Sequence, residues 1–124
     1  MITGIGVDIV HIPRMKRWCG QPGLLERYFH PQELADARAR GEGANDSLAG
    51  RFAAKEAFGK ALGTGFEGIE LKDIMVNSHH NGRPELRVFG TALEALEKSG
   101  ANRMHLSLTH DHNNAVAMVV LEVL

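Results

Sequence analysis

The sequence contains a single cysteine, Cys19, in 124 residues, so no disulfide can form within the chain and the fold must stand on packing alone. It also lacks an excess of either charge. With 14 Lys+Arg against 15 Asp+Glu and a formal net charge of −1, it carries no overall positive field, and neither nucleic acid nor a membrane surface is expected as the main partner. Long apolar runs are missing as well. The longest, Ala115 to Leu121, is about a third of the roughly 20 residues that a bilayer-spanning helix needs. Met1 to Val10 has no basic start and contains Asp8, unlike a signal peptide, and with the lone thiol this points to a reducing, cytoplasmic setting. No repeat, low-complexity tract or linker divides the chain. A chain this long hides roughly two thirds of its unfolded surface, enough for one core, so residues 1–124 are expected to form one domain.

What is present is patterned. From Ile2 to Val10, strand alternation places Ile5, Val7 and Ile9 on one face and Gly4, Gly6 and Asp8 on the other, a bare face around a carboxylate. Pro13 suits a first helical turn, so Pro13 to Cys19 reads as a short helix, ended by Gly20, Pro22 and Gly23. A second should run from His30-Pro31 to Arg40. Gly41 to Asn45 reads as a loop, and Asp46 or Ser47 can cap a long central helix over Leu48 to Leu62, stopped by Gly63. Gly63, Gly65 and Gly68 then form a flexible loop around Thr64 and Phe66. Ile69 to Val76 is strand with breaks, Asn81-Gly82 is a hairpin signal leading into Pro84 to Phe89, and Thr91 to Ser99 is a helix stopped by Gly100. Arg103 to His110 and Ala115 to Leu124 are strands joined by Asp111 to Asn114. The last is apolar at nearly every position, so both its faces should be covered, by this subunit or by a neighbour. Strands and helices that do not alternate regularly predict an α+β fold with an antiparallel sheet.

Two places carry candidate chemistry. At 100° per residue, the central helix sets Glu56 and Lys60 on one face with Phe52 and Gly63, and Ala54, Phe58, Ala61 and Leu62 on the opposite, core-facing side. Glu56 and Lys60 at i,i+4 are either a surface ion pair or part of a site; spacing alone does not choose. Asp8 sharpens the question. A carboxylate inside an apolar strand needs compensation, from an Arg, from a backbone donor, or from a hard cation shared with Glu56. Mg2+ suits such a pair, since it takes one or two protein carboxylates and fills its shell with water and phosphate oxygens.

These residues fall in blocks: Gly4 to Ile9; Arg51 to Ala61, with Phe52, Lys55, Glu56, Ala57 and Lys60 at set positions; Gly63-Thr64-Gly65; Asn81 to Pro84; and Ser107 to His110 before an apolar last strand. In order and separation they resemble the holo-[acyl-carrier-protein] synthases, the short bacterial class of 4'-phosphopantetheinyl transferases, over nearly the whole chain. The resemblance implies Mg2+-dependent transfer of the phosphopantetheine group of coenzyme A to a serine of an apo acyl carrier protein, with release of adenosine 3',5'-bisphosphate. Asp8 and Glu56 match the family's metal ligands. Lys60 would meet the pyrophosphate, and the serine's proton could pass to Glu56 or to a metal-bound water.

By the same resemblance Arg51 and His110 contact coenzyme A, Gly63, Thr64 and Gly65 pass close to its adenosine, and Pro84 lines the adenine pocket. Read without it, Arg51 is a solvated helix arginine, Gly63 to Gly65 a helix cap and turn, and His110 with His112 a strand end spaced to bind zinc, though lacking a third ligand nearby. The segment 41–47 departs from the family in having Glu42 and Asp46 but no Lys or Arg, which leaves Arg38 or Arg40 to hold the 3'-phosphate. Arg14 matches the family's contact to the acidic carrier, with Arg17 and Arg27 as further basic candidates. Trp18 and Met15 should pack inward. The family also implies a homotrimer with sites at subunit junctions. Two rival readings are a Mg2+-dependent nucleotide pyrophosphate hydrolase, which needs no Arg14 face, and a non-catalytic nucleotide-binding module, which could lose Glu56.

Overall fold

A computed structural model of the chain describes residues 1–78 and 82–124. Its elements follow in the order β1 (Ile2–His11), α1 (Pro13–Cys19), α2 (Leu24–Tyr28), α3 (Pro31–Arg38), α4 (Ala44–Leu62), β2 (Ile74–Ser78), β3 (Pro84–Val88), α5 (Gly90–Ser99), β4 (Arg103–His110) and β5 (Asn114–Glu122). Short 3-10 turns at Gly41–Gly43 and Leu71–Asp73 precede α4 and β2. The strands form two antiparallel sheets, a three-stranded one in the order β1-β5-β4 and a separate β2-β3 hairpin. The expected α+β architecture holds, though with two sheets where one was expected.

The long helix lies directly on β1, and two glycines make that possible. A Cβ on Gly4 would stand 2.0 Å from the Ala61 carbonyl oxygen, and one on Gly6 would stand 1.9 Å from that of Ala57. Only hydrogen fits in that gap. On the same face of β1, Val10 is buried and Asp8, opposite Ala117 of β5, is half-buried.

One expectation needs correcting. α4 is not two-faced: Leu48, Phe52, Ala54, Ala57, Phe58 and Ala61 are all buried, because α1, α2 and α3 cover the side that β1 and β5 do not. Phe52, placed with Glu56 on the open face, packs among Trp18, Tyr28 and Phe29. Met15 and Trp18 do pack inward as expected. Within this chain, the described residues cover one face of the larger sheet, and the cover expected on the other would come from a neighbour. Ala115, Ala117, Val119 and Leu121 of β5 are buried under α4, but across the other face Ile5, Val7 and Ile9 of β1 are 60%, 53% and 61% exposed, beside the exposed Met118.

Boundaries shift for local reasons. α4 begins at Ala44 rather than Leu48, with no side-chain cap at Gly43, because the Ser47 hydroxyl accepts from Arg51 Nε at 3.1 Å instead of capping a helix. α2 was not foreseen; five residues are too few for periodicity to register. α3 stops at Arg38, and the strand placed at Ile69 starts at Ile74 after the 3-10 turn. Gly63 and Gly100 end their helices at φ +83 and +85, as helix-stop glycines should. In the hairpin signal, Gly82 has φ +85 and Asn81 lies outside the described residues.

Candidate active site

The close seat of α4 on β1 brings three charged side chains together at the edge of the seam. Lys60 Nζ donates to Asp8 Oδ1 at 2.9 Å and to the Val7 carbonyl at 3.2 Å. The compensation that Asp8 required is therefore a lysine, rather than the arginine or backbone donor considered. Glu56 lies one turn before Lys60, half-buried. Burial holds its carboxyl above the usual carboxylate range, and the charge of Asp8 pushes it the same way, against the opposing pull of Lys60 and Arg14. Lys60 is solvent-exposed, so its pairing adds little to stability; the hydrogen bond and charge of Asp8 raise its pKa further above neutral and keep it cationic.

This donor set fits a hard divalent cation. Two carboxylates arrive from different elements, one of them half-buried and penalised by the other's charge, on a side open to solvent. A cation between them would relieve that repulsion. No cluster of three or more His, Cys, Asp or Glu side chains suited to a metal occurs among the described residues.

A second feature is a cavity of about 530 Å3 against the N-terminal half of α4, lined by Arg40, Ser47, Arg51, Pro84, Thr109 and His110 among others. Arg51 is not a solvated arginine: it is 2% exposed. Its Nη1 donates to the Val76 carbonyl at 2.5 Å and stands 4.0 Å from Glu33 Oε2, while Nη2 stands 3.9 Å from Asp36. Burial lowers its pKa and the carboxylates of Glu33 and Asp36 oppose the shift, so it stays charged. Of the two arginines suggested for a phosphate, Arg40 borders this cavity, whereas Arg38 pairs with Glu26 on the surface at 3.8 Å.

The chain has clear relatives. The family model of the 4'-phosphopantetheinyl transferase superfamily matches residues 4–119. A holo-[acyl-carrier-protein] synthase of Treponema denticola is 54% identical over 98% of this chain and 99% of that protein. The chain belongs to the 4'-phosphopantetheinyl transferase superfamily. Among solved structures, the holo-[acyl-carrier-protein] synthase of Neisseria meningitidis superposes with a TM-score of 0.89 at 36% identity, over 98% of this chain and 99% of that one. That of Bacillus anthracis, in complex with CoA (3',5'-ADP), gives 0.83 at 35% identity, over 99% and 98% of the two chains.

Within one chain of this superfamily member, the residues singled out from sequence form separate groups. Asp8, Glu56, Lys60 and Arg14 are together at the β1–α4 seam. Arg51, Pro84 and His110 are together at the larger cavity. Five residues of helix turn Arg51 roughly 140° from Glu56 and shift it about 7.5 Å along the axis, so the two groups face different sides of α4. Thr64 borders a third place, a cavity of about 460 Å3 shared with Gly68, Thr91 and Lys98 at the far end of the helix. There Gly65 N–H donates to the Gly59 carbonyl at 3.0 Å, and Gly63 and Gly65 both have positive φ, so the loop is a tight backbone turn over the helix end. Arg17 and Arg27 are exposed on α1 and α2, and Arg14 stacks over Trp18 at 5.9 Å.

Sequence reading missed Glu33 and Lys55, both fully buried and bonded at 2.6 Å. A signal existed. Glu33 is the third residue of a helix begun by His30-Pro31, the reciprocal position of a capping box, but the cap is histidine rather than serine or threonine. Lys55 stands in the otherwise apolar stretch from Phe52 to Ala54 and Ala57 to Phe58, where a buried cation requires a buried anion.

Proposed function

We propose that this chain transfers the 4'-phosphopantetheine group of coenzyme A to a serine hydroxyl of an apo acyl carrier protein, releasing adenosine 3',5'-bisphosphate. The observation that carries the chemistry is the cluster of Asp8, Glu56 and Lys60 at the seam that Gly4 and Gly6 open. The family and the relatives bearing the synthase name support the reaction.

Asp8 and Glu56 would hold Mg2+, which supplies charge neutralisation of the diphosphate and alignment for attack at phosphorus. Lys60 is the exposed cation of the site. Its exposed ammonium pairs with Asp8, and a rotation about its stem turns it toward an incoming pyrophosphate, where it offsets charge on the leaving phosphate. Arg51, Arg40 and His110 line the cavity that would take the adenosine 3'-phosphate end, with Pro84 on its wall; the Gly63-Thr64-Gly65 turn, at the far end of α4, would approach the adenosine from a neighbouring copy. The basic face of Arg14 and Arg17, with Arg27 nearby in sequence, meets the acidic carrier; Arg14 is near enough to Glu56 to lower its pKa, so a carrier docked there presents its serine beside the metal pair.

Because the metal pair and the cavity face different sides of α4, a complete site draws them from two neighbouring copies. The uncovered face of Ile5, Val7, Ile9 and Met118 is the surface on which a homotrimer would close. Incubation with coenzyme A, Mg2+ and an apo acyl carrier protein should add the phosphopantetheine mass to the carrier. Hydrolysis of coenzyme A without that addition would replace this reading with a pyrophosphate hydrolase, and binding of coenzyme A with neither reaction would leave a nucleotide-binding module.

A further inference from the structure

The β2-β3 hairpin is outside the larger sheet, yet it supplies Val76, Ser78 and Pro84 to the walls of the larger cavity. Something must fix it there. The outer edge of β2, where main-chain groups are not taken by β3, meets no further strand among the described residues and docks on buried charged side chains instead. Glu33 Oε2 accepts from the Val76 N–H at 3.0 Å, and Arg51 Nη1 donates to the Val76 carbonyl. Lys55 Nζ donates to the carbonyls of Ile74 and Leu71. Glu33 joins these contacts: its Oε1 accepts from Lys55 Nζ at 2.6 Å and from the His30 N–H at 3.0 Å, and its Oε2 faces Arg51.

Burying this group of charges is costly, and an apolar plug of the same volume would hold two helices and a strand together at least as well. What apolar side chains could not do is hold the edge of a strand in register by its main-chain groups and fix a guanidinium at the same time. We propose that Glu33, together with Lys55, is a positioning pair for the coenzyme. It clasps the edge of β2 to α3 and α4, and so places Arg51 and the hairpin wall around the adenosine 3'-phosphate. The inference rests on reading this cavity as the coenzyme site.

The paired variant Glu33→Gln/Lys55→Met removes both charges, so that neither is left buried alone. Binding of adenosine 3',5'-bisphosphate is measured by calorimetry on the full chain, well below each variant's melting midpoint, with Arg51→Met alongside. The paired variant should bind about tenfold more weakly and raise the coenzyme A KM to match, while the carrier KM stays within about twofold, a split that a general loss of stability would not produce. Glu33→Asp keeps the charge but shortens the arm, and its affinity should fall between that of the paired variant and the parent; this ordering also tests the proposal if the paired variant does not fold. Parent-like affinity in the folded paired variant, or in Glu33→Asp where the pair does not fold, with Arg51→Met weakened, would overturn the positioning role and leave the cavity reading intact. Parent-like affinity in Arg51→Met as well would overturn the cavity reading itself.

Discussion

Gly6→Ala tests how the candidate site is built. The added Cβ would lie 1.9 Å from the Ala57 carbonyl oxygen and 2.7 Å from the Ala61 nitrogen, both helix backbone, where ordinary contact begins at 3.4 Å. No rotamer change relieves this. The helix would have to retreat from β1 by about 1.5 Å, stretching the 2.9 Å contact between Lys60 and Asp8 and separating Glu56 from Asp8. Overpacking typically costs about 1–3 kcal/mol, and a clash with backbone belongs at the upper end. At about 3 kcal/mol, urea unfolding followed by circular dichroism should show a clearly lower midpoint, and the melting temperature should fall by roughly 10 °C. A displacement of about 1 Å among reacting groups costs about 100-fold in rate, so kcat/KM should fall by at least that in the folded fraction. Gly20→Ala is the control, since Gly20 has φ −82 and its nearest neighbour would be 3.5 Å away; it should stay within about 0.5 kcal/mol of the parent. Parent-like stability and transfer in Gly6→Ala would refute the close seat of α4 on β1, and with it the route by which Asp8 meets Glu56.

Glu56→Gln should abolish transfer yet raise the melting temperature of the chelator-treated protein at neutral pH. The folded pKa of Glu56 is raised, so its ionised form costs stability; the gain from Gln is full above that pKa and disappears as pH falls to the unfolded value, and a gain that grew on acidification would contradict the sign. Arg14→Glu should raise the carrier KM about tenfold or more with little change for coenzyme A; equal shifts in both would detach Arg14 from the docking face. Val7→Asp, on the uncovered sheet face, should yield a folded monomer by light scattering with transfer lost, whereas an intact trimer would move the interface elsewhere.

The sequence determined whatever depends on spacing along one element. The bounds of α1 and β4, the helix stops at Gly63 and Gly100, and the i,i+4 relation of Glu56 to Lys60 follow from local rules of φ, capping and periodicity. The Gly4, Gly6 and Asp8 face of β1 was equally plain from alternation. Tertiary structure decided what depends on which surfaces meet. Only the docking of α4 on β1 shows that the bare glycines make room for Ala57 and Ala61 and that Asp8 pairs with Lys60, since no local rule links positions 52 residues apart. Only the covering of α4 by α1, α2 and α3 turns an apparently open helix face into core and buries Arg51 among Ser47, Val76, Glu33 and Asp36. Charge in a sequence has no dielectric until the fold supplies one, and the same arginine or lysine is a solvated ornament on one side of a helix and a buried anchor on another.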